Sequence, residues 1–158
     1  MEKLNKLKKL FKKYNIDGYI VPKNDEFFNE YIPENKDRLN FISNFTGSYG
    51  FAIILKNESY LFVDGRYTLQ AKNQSGKFFK IITIPNKLPS DIFKKRKLKI
   101  GFDPKLHTQK NIRNLFIKTN CKFITINQNL VDNLWLRKTH SLHKKFYVLP
   151  EKAIGLKY

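Results

Sequence analysis

The chain lacks several things, and each shortage argues against a class of protein. It has one cysteine, Cys121, among 158 residues. No disulfide can form within it, and a lone thiol beside a predicted strand reads as a buried, inert packing residue. No apolar run approaches the ~20 residues needed to cross a bilayer. The N-terminal stretch Met1-Glu2-Lys3-Leu4-Asn5-Lys6-Leu7-Lys8-Lys9-Leu10 is basic but leads into no apolar segment, which argues against a secretory signal peptide. These absences predict a cytoplasmic protein. There are 7 glycines and no G-x-G-x-x-G or Walker pattern, so Gly47 and Gly50 read as tight-turn residues and not as a phosphate loop.

Histidine is limited to His107, His140 and His143. The last two are three residues apart in a basic tail, with no Cys, Asp or Glu near them before Glu151, and read as a solvated surface feature. No Ser-His-Asp, Cys-His or paired-carboxylate arrangement is present. The chain is therefore expected to contribute no catalytic residue and no metal ligand of its own.

Acidic residues are few. Asp and Glu number 13 against 31 Lys and Arg, a formal net charge of +18. Such a balance raises nucleic-acid or anionic-membrane binding. The competing explanation is compositional. Lys, Asn, Ile, Phe and Tyr are abundant while Ala, Gly and Arg are scarce, as an AT-rich coding sequence produces. The cations are mostly Lys, which suits solvated surfaces, whereas Arg suits phosphate forks. The densest cluster, Phe93-Lys94-Lys95-Arg96-Lys97, reads as a solvated connector.

What is present is a globular alternation of helices and strands. An apolar fraction of 41% and an aromatic fraction of 15% support one domain with a real core. Leu4, Leu7, Leu10, Phe11 and Tyr14 recur at helical spacing and predict a helix over 2–14. Strands are predicted at 18–22, 50–56, 59–64, 78–84, 98–102 and 123–126. The apolar runs Phe51–Leu55 and Tyr60–Val63 predict strands covered on both faces, joined by a hairpin turn. Asn24-Asp25 is expected to start a short helix or turn through Tyr31, Ser90 or Asp91 a helix through Lys94, Thr108 a helix to about Thr119, and Asn129 a short helix through Trp135. A further helix should follow Asp64-Gly65-Arg66, with Asp64 as its cap and Gly65 in a turn conformation. Tyr67 and Trp135 read as core or interface aromatics. Six strands interleaved with helices, two of them adjacent in a hairpin, give an α/β fold with a mixed sheet flanked by helices on both faces. The domain is expected over 1–136, and 137–158 reads as a linker or the start of a following domain.

Six blocks, in order, resemble one family. They are Tyr19-Ile20-Val21-Pro22; Glu30-Tyr31-Ile32-Pro33; Arg38 to Gly50; Asp64-Gly65-Arg66-Tyr67 with Gln70-Ala71; Ile100-Gly101-Phe102-Asp103-Pro104 with His107-Thr108; and Asn129-Leu130-Val131-Asp132 with Trp135. Together they resemble the creatinase/prolidase N-terminal domain of aminopeptidase P, the Xaa-Pro aminopeptidases. The resemblance implies a ribonuclease H-like motif in the fold. It also implies a cytoplasmic hydrolase that removes the residue before an N-terminal-side proline, using two divalent ions, usually manganese, held by two Asp, one His and two Glu of a separate C-terminal domain. None of those ligand motifs is in this chain, so it is expected to be inactive alone. Its partners would be the downstream catalytic domain or a separate polypeptide, a second copy in a homodimer, and a peptide with proline at its second position. Nucleic acid and membrane are disfavoured.

The resemblance gives Arg66 a role in holding or gating the peptide. It gives Asp103, Pro104 and His107 a turn in which His107 sets loop geometry or caps the next helix. The alternative function is a free-standing basic module that binds nucleic acid or another polyanion.

Overall fold

The computed structural model describes residues 2–137 and 147–155. In chain order its elements are α1 (Glu2–Lys13), β1 (Gly18–Pro22), α2 (Arg38–Ser43), β2 (Gly50–Leu55), β3 (Ser59–Asp64), α3 (Thr68–Ser75), β4 (Lys80–Ile84), α4 (Pro89–Phe93), β5 (Lys99–Phe102), α5 (Gln109–Leu115), β6 (Lys122–Thr125) and α6 (Glu151–Ile154). The sheet has six strands in the order β4-β3-β2-β1-β5-β6. Strand β2 pairs antiparallel with β1 and β3, and the other pairings are parallel. Only β2 therefore runs against the rest, and the mixed sheet is as the sequence implied.

The unbroken apolar runs resolve into two alternating sets. Tyr19, Val21, Ala52, Ile54, Leu61 and Val63 face one layer, with Leu4, Leu7 and Phe11 of α1, Leu39 and Ile42 of α2, and Ala71 of α3. Ile20, Phe51, Ile53, Leu55, Tyr60 and Phe62 face the other, with Phe93 of α4 and Ile112 of α5. Successive strand residues point to opposite faces, so a strand covered twice must be apolar at every position. Aromatic packing knits the second layer. Phe51 and Phe62 stack at 4.8 Å, and Tyr60 meets Phe93 edge-on at 5.5 Å. Fully burying each such side chain is worth roughly 1.5–3 kcal/mol.

Of the helix or turn expected after Asn24-Asp25, a turn forms, because Asp25 is buried and its Oδ1 accepts from the backbone N–H of both Phe27 and Asn29. Several boundaries differ from expectation. Helix α4 starts at Pro89, before the expected caps. Asp91 Oδ2 reaches back to the N–H of Leu88 at 2.8 Å, so Asp91 works from inside the first turn. Thr108 caps α5 as expected, by accepting from Asn111 N–H, but the helix ends at Leu115. Asn129 holds a turn and not a helix, its Oδ1 accepting from Val131 N–H at 2.9 Å. Cys121 is half-buried, not buried, and its thiol points at the Arg96 carbonyl. The Phe93–Lys97 connector is solvated only in part, since Phe93 is fully buried. His140 and His143, and most of the 137–158 tail, lie outside the described residues.

Candidate functional site

Five of the strands end, and β2 begins, at one edge of the sheet, and this edge collects most of the residues singled out in the sequence. In open α/β sheets the carboxyl ends of strands are where ligands meet the fold. At the end of β3, Asp64 Oδ1 accepts from the backbone N–H of Arg66 and from its Nε, both at 2.9 Å. The Arg66 side chain is 73% exposed, and its guanidinium lies 5.3 Å from the Tyr67 ring. Arg66 is thus tethered at its base with much of its fork turned to solvent. Gly65 opens a one-turn helix, Gly65–Tyr67, without a positive φ, and a Cβ there would meet only Thr83, at 3.8 Å.

The glycines of the Thr46–Gly50 segment serve close approach and no special backbone angle. A Cβ on Gly47 would lie 2.3 Å from the Phe45 ring, and one on Gly50 2.8 Å from the Phe62 carbonyl oxygen. Phe45 is fully buried beneath them and meets Tyr67 edge-on at 6.0 Å. The Tyr67 hydroxyl in turn hydrogen-bonds Ser48 Oγ at 2.7 Å. The loop before β2 and the turn after β3 are locked into one rim, on which Tyr49 stands exposed.

Beside this rim is a small cleft of about 100 Å³, lined by Pro22, Lys23, Tyr49, His107, Asn111 and Leu115 among others. Asp103 organises its far side. Its Oδ1 accepts from Lys105 N–H and its Oδ2 from Asn129 Nδ2, both at 2.9 Å, and Pro104 opens the one-turn helix, Pro104–Leu106, that Asp103 caps. His107 does not cap α5; Thr108 does. His107 is 7% exposed, packs edge-on against Phe102 at 5.9 Å, and its Nε2 has no hydrogen-bond partner. Burial pushes its pKa down to about 4, so the imidazole is neutral near pH 7.

The sequence reading missed a fully buried cation. Arg38, only 2% exposed, sits between Asp132 and Glu26. Nε and Nη2 grip the two Asp132 oxygens at 2.8 Å each, and Nη2 also donates to Glu26 at 2.6 Å. Arg137 donates to Asp132 as well. Burial opposes the Arg38 charge, but the two carboxylates more than restore it. Burial also opposes ionisation of Glu26, yet its own backbone N–H, Arg38 and Lys36 bring its pKa to about 2. Next to this network Lys23 pairs with the Asp37 carboxylate at 2.5 Å. Spacing carried a signal for its burial but none for its partners, since Arg38 lies one helical turn before Ile42 and so shares the buried face of α2. The network braces the segment between β1 and α2, which presents Phe27 and Tyr31 to solvent.

The profile of the creatinase/prolidase N-terminal domain matches residues 3–134. The chain belongs to this family. A protein named "Probable Xaa-Pro aminopeptidase P" from Laccaria bicolor is 34% identical over 143 residues, which is 85% of this chain and 22% of that protein. A second protein of that name, from Talaromyces stipitatus, is 36% identical over 85% of this chain and 22% of its own length. Among solved structures, the X-prolyl aminopeptidase of Caenorhabditis elegans, described as a cytosolic enzyme with a di-nuclear active site, superposes with a TM-score of 0.74 at 30% identity. That match covers 85% of this chain and 25% of the nematode chain. The N-terminal domain of a cytoplasmic peptidase from Mycobacterium tuberculosis shares the fold, with a TM-score of 0.65 at 18% identity over 85% of this chain and 98% of that one. The chain thus spans about a quarter of the length of the aminopeptidases it resembles.

Among the described residues, no three His, Cys, Asp or Glu side chains come close enough together to hold a metal ion. The carboxylates at the strand-end edge are engaged instead, Asp64 by Arg66, Asp103 by Asn129 and Asp132 by Arg38. Among the described residues, no helix is long and apolar enough to cross a membrane.

Proposed function

We propose that this domain is the non-catalytic N-terminal part of a cytosolic Xaa-Pro aminopeptidase. In this reading its strand-end edge shapes the path by which a peptide with proline at its second position reaches the metals, and other surfaces make subunit contacts. The metal ions, manganese by the family resemblance, are held by residues outside this chain. The carrying observation is the match of residues 3–134 to the family's N-terminal domain, with a relative 34% identical of whose length the chain spans 22%. The strand-end edge supports the assignment of the path, because Arg66 extends into solvent there from a rigid base. A guanidinium so placed can donate hydrogen bonds to the carboxylate or backbone carbonyls of a passing peptide.

Two assays test the proposal. The purified 158-residue chain is incubated with a proline-second peptide, with and without manganese, and no turnover is expected; metal-dependent hydrolysis by this chain alone would reject the reading. Residues 3–134 are then exchanged for the matching domain of the C. elegans enzyme. The chimera should hydrolyse the peptide with a higher kcat/KM than the same enzyme stripped of its N-terminal domain. Equal rates would remove the role in substrate access.

A further inference from the structure

The opposite edge of the sheet, where five of the strands begin, has a different character. In sequence the lysines are scattered, but the fold gathers them. Lys99 and Lys122 are register partners at the starts of β5 and β6, and Lys80 begins β4. Lys56 follows β2, and Lys97 and Arg96 lie in the connector that leads into β5. Two carboxylates interrupt this row, and both are engaged. Asp17 accepts from Lys99 N–H through Oδ2 and from Lys56 through Oδ1. Glu58 takes the Tyr60 hydroxyl, Lys80 and Arg96, and with Tyr60 the leading cause its pKa falls to about 2. The acidic residues otherwise favour the far edge, where Asp25, Glu26, Asp37, Asp64, Asp103 and Asp132 already hold cations or backbone donors.

Two open clefts indent the basic edge, each of about 560 Å³. One lies between the starts of β5 and β6 and is lined by Lys97, Lys99 and Lys122 against the single carboxylate of Asp17. Among the described residues, none of these three lysines has a carboxylate within ion-pair distance. Like charges set directly across a strand pair destabilise it, and an anion between them would relieve that cost. The second cleft lies beyond the β2–β3 hairpin and is lined by Lys77, Lys80, Arg96 and Ser59 against the single carboxylate of Glu58, which is already held by Lys80 and Arg96. Ser59 is 4% exposed and its hydroxyl has no hydrogen-bond partner. Six strands at ~4.8 Å spacing make the edge roughly 24 Å across.

We propose that this edge is a docking site for a chain of linked phosphate groups. Two shallow cationic clefts at either end of a row fit an extended anion better than a compact one. No Tyr or Trp lines either cleft, Phe79 is buried and Phe78 half-buried, so no free ring is offered for stacking bases. The ligand is recognised by its phosphates. The occupant is inorganic polyphosphate; a single-stranded nucleic acid offers the same phosphates but also bases that find no ring here, and it is the competitor in the test. This site lies at the other end of the strands from Arg66 and stands or falls independently of the peptidase role.

The test is a binding titration of the 158-residue chain at 50 and 150 mM salt, with inorganic polyphosphate of about 20 phosphates and with oligo-dT of about 20 nucleotides. Polyphosphate should bind, weaken steeply with salt, and displace the oligonucleotide. The variant K97Q/K99Q/K122Q should weaken binding about tenfold or more and lower the salt slope by about 2, as the loss of three phosphate contacts requires. The control K87Q/K105Q/K110Q removes equal charge from exposed positions near the other edge and should shift binding less than threefold. Circular dichroism checks that both variants fold. Three outcomes overturn the proposal: no polyphosphate binding at 150 mM salt, equal losses in the two variants, or oligonucleotide binding that polyphosphate cannot displace.

Discussion

Arg38 and Asp132 are 94 residues apart in sequence and meet as a two-pronged ion pair, Nε to Oδ1 and Nη2 to Oδ2, each at 2.8 Å. The contact joins the start of α2 to the turn after β6, and through Glu26 it fixes the segment that follows β1. Removing Arg38 takes away the cation the two carboxylates share and leaves Asp132 to Arg137 and Glu26 to Lys36. Arg38→Met should cost about 3–5 kcal/mol, the range for breaking one side of a buried pair. Equilibrium urea unfolding reads this as a fall in midpoint at constant slope. Arg38→Lys should recover only part of the loss, because an ammonium cannot span both oxygens of one carboxylate.

His107 makes stability depend on pH in a known direction. Its folded pKa, about 4, lies below the ordinary 6.5, so the unfolded chain takes up the proton first. The neutral form's contribution is complete above pH 6.5 and is lost as pH falls toward 4, by on the order of 3 kcal/mol across the window. His107→Gln should flatten the stability profile there. An unchanged slope between pH 6.5 and 4 in that variant would assign the effect to other groups.

Two glycines separate packing from conformation. Gly47→Ala drives a methyl onto the Phe45 ring, which is itself fully buried, and should destabilise by about 1–3 kcal/mol. Gly65→Ala meets nothing closer than 3.8 Å in an allowed backbone region and should lie within about 0.5 kcal/mol of the parent. Thermal melts of the two variants side by side decide this. If Gly65→Ala proves the more damaging, close approach is not what the Thr46–Gly50 segment needs.

What the sequence made legible follows from its local signals. The double-sided strands were readable because burial on both faces demands apolar residues at every position, and Phe51–Leu55 and Tyr60–Val63 supply them. The Asp64 and Thr108 caps were readable because a short acceptor one residue before a helical turn has few other uses; Asp64 caps the one-turn helix Gly65–Tyr67 that leads into α3, and Thr108 caps α5 itself. The Arg38–Asp132 pair was not, because it depends on tertiary proximity that no spacing encodes. The gathering of Lys56, Lys80, Lys99 and Lys122 on one edge was hidden for the same reason, since only strand order and register bring them together. The Asn129 turn was misjudged as a helix because the same cap chemistry serves both, and Asn129 also answers to Asp103, 26 residues away.

Arg66 provides the sharpest separation of function from stability. Its side chain is 73% exposed and, among the described residues, its one ion pair, to Asp64, lies on the surface, where such pairs contribute little. Arg66→Ala should therefore shift the urea midpoint of the 158-residue chain by less than the equivalent of about 0.5 kcal/mol. In the chimera with the C. elegans enzyme, the same change should lower kcat/KM for a proline-second peptide about tenfold or more, the loss of one charge-assisted contact. Arg66→Lys keeps the charge but loses the fork, so it should restore less than half of that loss in free-energy terms. Should Arg66→Ala leave the chimera's kinetics intact, the arginine is an Asp64 partner only, and the strand-end rim must act on the substrate through Tyr49 or not at all.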